Sequence, residues 1–143
     1  MSPGRLMEVA RYRVLFDDCD PMRIMYYGSY FRLFEIGWTE LFRRLGLPLP
    51  VYMARGLYLA VIELTCRYIK PARYDDLLAI HAGLIEVSAA RFEIHYEIAG
   101  VNGERLASGR TLHAVLNEAS RPQRVPEEFM RAAPTTSGHR RPQ

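Results

Sequence analysis

Residues 28–45 read GSYFRLFEIGWTELFRRL, and the spacing of their apolar side chains decides what the rest of the chain must build. At about 100° per residue, Gly37, Tyr30, Leu41, Phe34, Leu45, Trp38, Phe31 and Phe42 fall within one arc of about 140°. Thr39, Arg32, Arg43, Glu40 and Arg44 lie on the other side. This separation predicts one long amphipathic helix, with Ser29 as N-cap and Gly46 just past the end. Glu35 sits at the margin of the aromatic arc, near Phe31 and Phe42, and is the helix acid expected to be partly covered.

On either side of this helix the apolar period drops to two. Residues 9–16 place Tyr12, Val14 and Phe16 alternately with Arg11, Arg13 and Leu15, a half-buried strand that Asp17-Asp18-Cys19-Asp20-Pro21 brings to a stop. After Leu47-Pro48-Leu49-Pro50 and a short helix near 51–55 come four strand-like segments, at 59–70, 77–88, 91–99 and 105–116. The cleanest alternation is Arg91-Phe92-Glu93-Ile94-His95-Tyr96-Glu97-Ile98, and Asn102-Gly103 suits the hairpin that follows it. An order of strand, long helix and four strands predicts an α+β fold, one apolar helix on one face of an antiparallel sheet. No βα period of about 30 residues occurs, which disfavours a doubly wound sheet. So small a sheet has exposed edges, which edge pairing or sheet stacking between copies would cover.

Composition bounds the function. At 143 residues and 49% hydrophobic, the chain is the size of one domain with a real core. We divide it into an N-terminal extension at 1–8, a domain at 9–130 and a disordered basic tail at 131–143. The formal charge of +3 comes from that tail, where Arg131, Arg140 and Arg141 stand without an acid; residues 1–130 are balanced. A neutral domain lacks the general phosphate attraction of a nucleic-acid binder. No signal peptide or membrane span is read, and Cys19 and Cys66 form no CxxC pair, so a cytoplasmic location is expected.

Chemistry has few places to sit. GxSxG and HExxH motifs are absent, as are glycine-rich phosphate loops; His81, His95, His113 and His139 are dispersed. No metal site and no cofactor is expected. The best cluster is Asp17, Asp18 and Asp20, followed by the apolar Ile24, Met25, Tyr26 and Tyr27. A carboxylate held against such a wall is hard to keep ionised and can serve as base or nucleophile. Which of the three does so is open at this point.

Together, Asp18-Cys19-Asp20-Pro21-Met22-Arg23-Ile24-Met25-Tyr26-Tyr27-Gly28-Ser29-Tyr30 and Phe34-Glu35 resemble the signature of the 4-hydroxybenzoyl-CoA thioesterase-like hot-dog family. Tyr68-Ile69-Lys70-Pro71-Ala72-Arg73-Tyr74-Asp75-Asp76 is similar to the family's connection between two strands, and Arg121-Pro122 with Val125-Pro126 to its last strand boundary. The resemblance implies a hot-dog fold, one long central helix wrapped by a bent antiparallel sheet. It also implies a homodimer or homotetramer with active sites at the subunit boundary, acting on an acyl-CoA. It selects Asp20 as the catalytic carboxylate and gives Glu35 a part in shaping the site or orienting water. Two positions depart from the pattern: Arg23 replaces the usual Gly, and Tyr27 or Ser29 stands where relatives often carry His or Asn.

On that basis the expected oxyanion and acyl-pocket set is Arg23, Tyr26, Tyr27, Gly28, Ser29 and Tyr30, with first-turn N–H groups as donors. Lys70 and Arg73 flank a sheet connection and are the expected CoA contacts, followed by Arg91 and Arg121. The rival reading is a non-hydrolytic acyl-CoA or acyl-carrier binding protein on the same fold, which Arg23 favours. A dehydratase ranks lower, because no histidine lies near Asp20 in sequence.

Overall fold

The computed structural model describes residues 6–133. Strand β1 (Met7–Arg13) leads through a short 3₁₀ turn (Phe16–Asp18) and a second one (Tyr27–Ser29) into α1 (Tyr30–Arg44), with α2 (Leu49–Ala54) after it. Four long strands follow, β2 (Tyr58–Tyr68), β3 (Leu77–Ile85), β4 (Arg91–Gly100) and β5 (Arg105–Leu116), then β6 (Pro122–Gln123) and α3 (Glu127–Ala132). The sheet runs β1-β3-β4-β5-β2, antiparallel throughout, with β6 pairing β5 beyond the start of β4. Register shifts in β1, in β2 and in β5 opposite the end of β4 are bulges, which bend and twist the strands that carry them. The α+β expectation of one long helix on one face of a bent antiparallel sheet is met.

Two glycines set how closely helix and sheet approach. A Cβ on Gly37 would stand 3.1 Å from the Tyr96 ring, and one on Gly109 would stand 2.5 Å from both Phe34 Cζ and the Thr65 carbonyl. Phe34 and Tyr96 are thereby stacked with centroids 4.4 Å apart. Toward the far end of the helix Phe42 meets Phe92 and Phe129, and Tyr52 closes on Phe129. Each of these large rings is buried, and full burial of such a side chain contributes on the order of 2–3 kcal/mol.

Several expectations are corrected. The first strand stops at Arg13; Phe16 starts a 3₁₀ turn and is 81% exposed. The cause is Asp18, whose Oδ2 accepts the Leu15 N–H at 2.8 Å and turns the chain. Ser29 does not cap α1: its backbone is already helical, because the second 3₁₀ turn runs straight into the helix. Phe31, placed in the apolar arc, is 45% exposed, whereas Leu33 outside that arc is fully buried. Glu35 is exposed in the single chain. Residues 131–133, assigned to the tail, finish α3 and bury Ala133; 134–143 lie outside the described residues, as do 1–5 of the N-terminal extension, while Met7 and Glu8 belong to β1.

Candidate active site

The segment after Asp18 folds back on itself as a three-residue hairpin. Cys19 bridges Met25, the Asp20 N–H donates to the Ile24 carbonyl at 3.0 Å, and the Arg23 N–H donates to the Asp20 carbonyl at 2.8 Å. The tip Pro21-Met22-Arg23 ends on a left-handed residue, Arg23 with φ +67°, the usual closure of a three-residue hairpin. That backbone explains why glycine suits this position: a side chain there costs about 1–2 kcal/mol. The Asp20 Oδ1 accepts the Met22 N–H at 2.8 Å, an Asx turn that fixes the carboxylate. No donor among the described residues reaches Oδ2.

The hairpin is clamped from both sides. The Met25 N–H donates to the Ala72 carbonyl at 2.7 Å and Ile24 bridges Arg73, tying it to the β2–β3 connection. The Tyr26 N–H donates to the Asp18 carbonyl at 2.8 Å, tying it to the start of the helix. Between these anchors opens a cavity of about 470 Å³ whose wall is mostly apolar, with Asp20, Tyr27, Tyr30, Tyr68, Ile69 and Lys70 around it. Tyr68 Oη donates to the Tyr27 carbonyl at 2.8 Å and its ring meets Tyr30 edge-on at 5.3 Å. Burial pushes the Tyr30 and Tyr68 phenols up, so both stay protonated at neutral pH.

The three acids are thus sorted by environment. Asp17 is exposed; Asp18 is 1% exposed and taken up by Tyr12, Leu15 and Arg32; Asp20 alone borders the cavity. Of the remaining expected residues, Tyr27, Tyr30 and Lys70 reach the cavity, and Tyr26 packs on Tyr27 at 4.4 Å. Gly28 stands so close to the Tyr26 ring that a Cβ would approach it to 2.7 Å. The Ser29 hydroxyl donates to the Asp18 carbonyl at 3.1 Å and so holds backbone together. Arg23 and Arg73 are exposed and shape the loop through their backbones. Glu35 does not border the cavity in the single chain.

Arg91 is not brought to this site. It pairs with Ala114 whereas Tyr68 pairs with Ala107, which separates them by about 24 Å along β5 at ~3.4 Å per residue. Arg121, beside β6, belongs to the same distant end. The sequence reading missed Tyr68 and Ile69 as cavity residues; the period-2 pattern through 59–70 put Tyr68 on the apolar face without showing that the face opens there. Lys70 Nζ lies 2.9 Å from Glu104 Oε2, so the cation at the cavity already has a partner.

The fold and this cavity define a hot-dog protein. A solved 4-hydroxybenzoyl-CoA thioesterase with 4-hydroxybenzoyl-CoA bound superimposes with a TM-score of 0.80 over 91% of this chain and 99% of that one; at 21% identity the likeness concerns the fold. The family model of the thioesterase-like superfamily matches residues 14–133, and the chain belongs to that superfamily. It is 28% identical over 127 residues to the 1,4-dihydroxy-2-naphthoyl-CoA hydrolase of Thermosynechococcus vestitus, covering 88% of this chain and 86% of that one. It is 29% identical over 107 residues to the acyl-CoA thioester hydrolase YbgC of Escherichia coli, covering 75% and 72%. Among the described residues no helix is long and apolar enough to cross a membrane.

Proposed function

We propose that the chain is an acyl-CoA thioester hydrolase in which Asp20 is the nucleophile or general base. The observation that carries this is a carboxylate pinned by a tight hairpin at the edge of an apolar cavity, one oxygen held and the other unclaimed. In the general-base route Asp20 takes a proton from water while the water oxygen bonds to the thioester carbonyl carbon. The carbonyl electron pair moves onto oxygen, and collapse of the tetrahedral species breaks the C–S bond and releases the CoA thiolate. The nucleophilic route differs in that the Asp20 oxygen bonds to carbon first, giving a mixed anhydride that water then opens.

The developing oxyanion needs donors about 3 Å away, and the first helical turn supplies them. Ser29 N–H closes back onto the Tyr26 carbonyl at 2.9 Å, and Tyr26 N–H is taken by Asp18, which leaves Tyr27 and Gly28 N–H with no carbonyl ahead of them. The tyrosine-lined cavity receives the acyl group, and Lys70 and Arg73 meet the CoA phosphates. The working form is a homodimer or homotetramer: among the described residues β2 pairs only with β5, and its other edge carries exposed Val61 and Ile62. Glu35 and Phe31, uncovered in one chain, face this boundary in the assembled enzyme. The free thiols of Cys19 and Cys66 fit a cytoplasmic location.

The test is steady-state hydrolysis of short-chain, long-chain and aromatic acyl-CoAs by wild type and Asp20→Asn. Replacing the carboxylate by its isosteric amide should lower kcat about 10³-fold with folding intact. Equal rates in the two proteins would remove Asp20 from the chemistry. Saturable binding of acyl-CoA by a wild type that never turns it over would favour the non-hydrolytic binding protein.

A further inference from the structure

Among the described residues Asp18 is the one acid that is almost wholly buried, and it has no part in the chemistry proposed above. Its carboxylate accepts the Tyr12 hydroxyl at 2.7 Å and the Leu15 N–H at 2.8 Å on Oδ2, and pairs with the Arg32 guanidinium through Oδ1. Arg32 also donates to the Tyr12 oxygen at 2.8 Å, closing a ring of three side chains from β1, the first turn and α1. The Asp18 carbonyl in turn accepts the Tyr26 N–H at 2.8 Å and the Ser29 hydroxyl at 3.1 Å. One residue therefore grips the strand before the hairpin, the helix after it and the turn that carries Tyr27 and Gly28.

The covalent neighbours make this grip consequential. Asp20 lies two residues after Asp18, and Tyr27 directly follows Tyr26, which Asp18 holds. Asp20 and Tyr27 border the cavity from opposite ends of the 20–27 segment, and Asp18 is where those ends meet. A buried carboxylate with both oxygens engaged is held in place by three donors, and a neutral amide in its stead leaves Arg32 without its counter-ion. We infer that Asp18 is a positioning residue, setting the separation between the Asp20 carboxylate and the Tyr27 and Gly28 donors. This rests on the acyl-CoA hydrolase reading, and its test carries one arm that needs no turnover.

Asp18→Asn should lower kcat on the best acyl-CoA at least about tenfold at a temperature where circular dichroism shows a fully folded protein, with KM within about twofold. In an Asp20→Asn background the same change should alter the residual rate by less than about twofold, because Asp18 acts through Asp20. Tyr12→Phe, which deletes one bond and keeps the charge pair, should give a smaller loss in kcat of the same kind, and it stands in if Asp18→Asn does not fold. Equal losses in both backgrounds, or a loss confined to KM, would overturn the assignment. Hydrogen exchange supplies the arm without turnover: Asp18→Asn, or Tyr12→Phe, should speed exchange at the Met22 and Tyr26 amides relative to the β4 amides of Ile94 and Ile98. Uniform acceleration, or none, would defeat the positional role whether or not the wild type hydrolyses thioesters. Local acceleration in an enzyme inert toward every acyl-CoA would uphold the grip and sink the hydrolase reading alone.

Discussion

The two ends of α1 lie on the same sheet and are finished in opposite ways. At the C-terminal end Phe42, Phe92, Phe129 and Tyr52 form a closed aromatic cluster, with His113 stacked on Phe92 and Trp38 edge-on to that histidine. At the N-terminal end Tyr26, Tyr27, Phe31 and Tyr68 are equally aromatic yet exposed, and Met22 stands out beside them. The first end resembles a domain core; the second has the look of a surface that will be covered by something else. The chain thus closes its core at one end of the helix and leaves the other end open beside the Asp20 cavity.

The largest effect expected from this division lies in the closed end. Burial drives the His113 pKa down from 6.5 to about 4, and its Nδ1 has no partner among the described residues. The unfolded chain takes up a proton near pH 6.5, while the folded chain resists until about pH 4. Protons therefore favour the unfolded state, so stability declines as pH falls from about 6.5 to about 4 and is flat with respect to this group below that. The full loss is about 3 kcal/mol. Urea midpoints followed against pH should show it, and His113→Gln should flatten that limb. A wild-type stability constant from pH 7 to pH 4 would mean that the closed end is wetter than its packing indicates.

A smaller effect is expected at the open end, where strain is kept in the backbone. Arg23 occupies a left-handed conformation that disfavours any side chain. Arg23→Gly relieves about 1–2 kcal/mol there and gives back part of it by loosening the unfolded chain, for a net gain of about 0.5–1 kcal/mol. A rise in the urea midpoint with unchanged slope is the signature. If stability falls instead, the Arg23 side chain makes a contact that outweighs its strain.

The same division accounts for what the sequence could and could not disclose. What is local and periodic is legible: the helix at 28–45, the alternation at 91–99 and the Asn102-Gly103 turn are each written in consecutive residues, and all three form near the expected places. The open end is assembled from distant ones. Nothing near Asp18 shows that Tyr12 and Arg32 will close around it, so pattern alone left three acids equivalent and a resemblance was needed to single out Asp20. Arg32 keeps the solvent-side place that the helical wheel gives it, while its guanidinium also reaches Asp18 and Tyr12, contacts a wheel has no place for because they come from a loop folded back over the helix start. The neighbours of Ser29 permit a cap in sequence; the 3₁₀ turn ahead of it is a consequence of how Asp18 holds Tyr26 and Ser29. The helical period implies cover for Phe31 and Glu35 that a single chain does not provide.

The smallest expected effect is also the most direct probe of what the open end binds. Lys70 borders the Asp20 cavity and is paired with Glu104, a residue on the β4–β5 turn; both side chains are exposed, so the pair is worth little to stability. It matters for binding, because an anionic ligand reaching Lys70 must displace Glu104 or sit beside its charge. Glu104→Gln removes that competition and should lower KM for an acyl-CoA about twofold while leaving kcat unchanged. The gain should fade as ionic strength rises, since charges this exposed are screened over about 8 Å at physiological salt. A change in kcat would place Glu104 in contact with the chemistry. An unchanged or higher KM would mean that the phosphates pass Lys70 by, and that the cations meeting CoA come from elsewhere along the open end or from the second subunit.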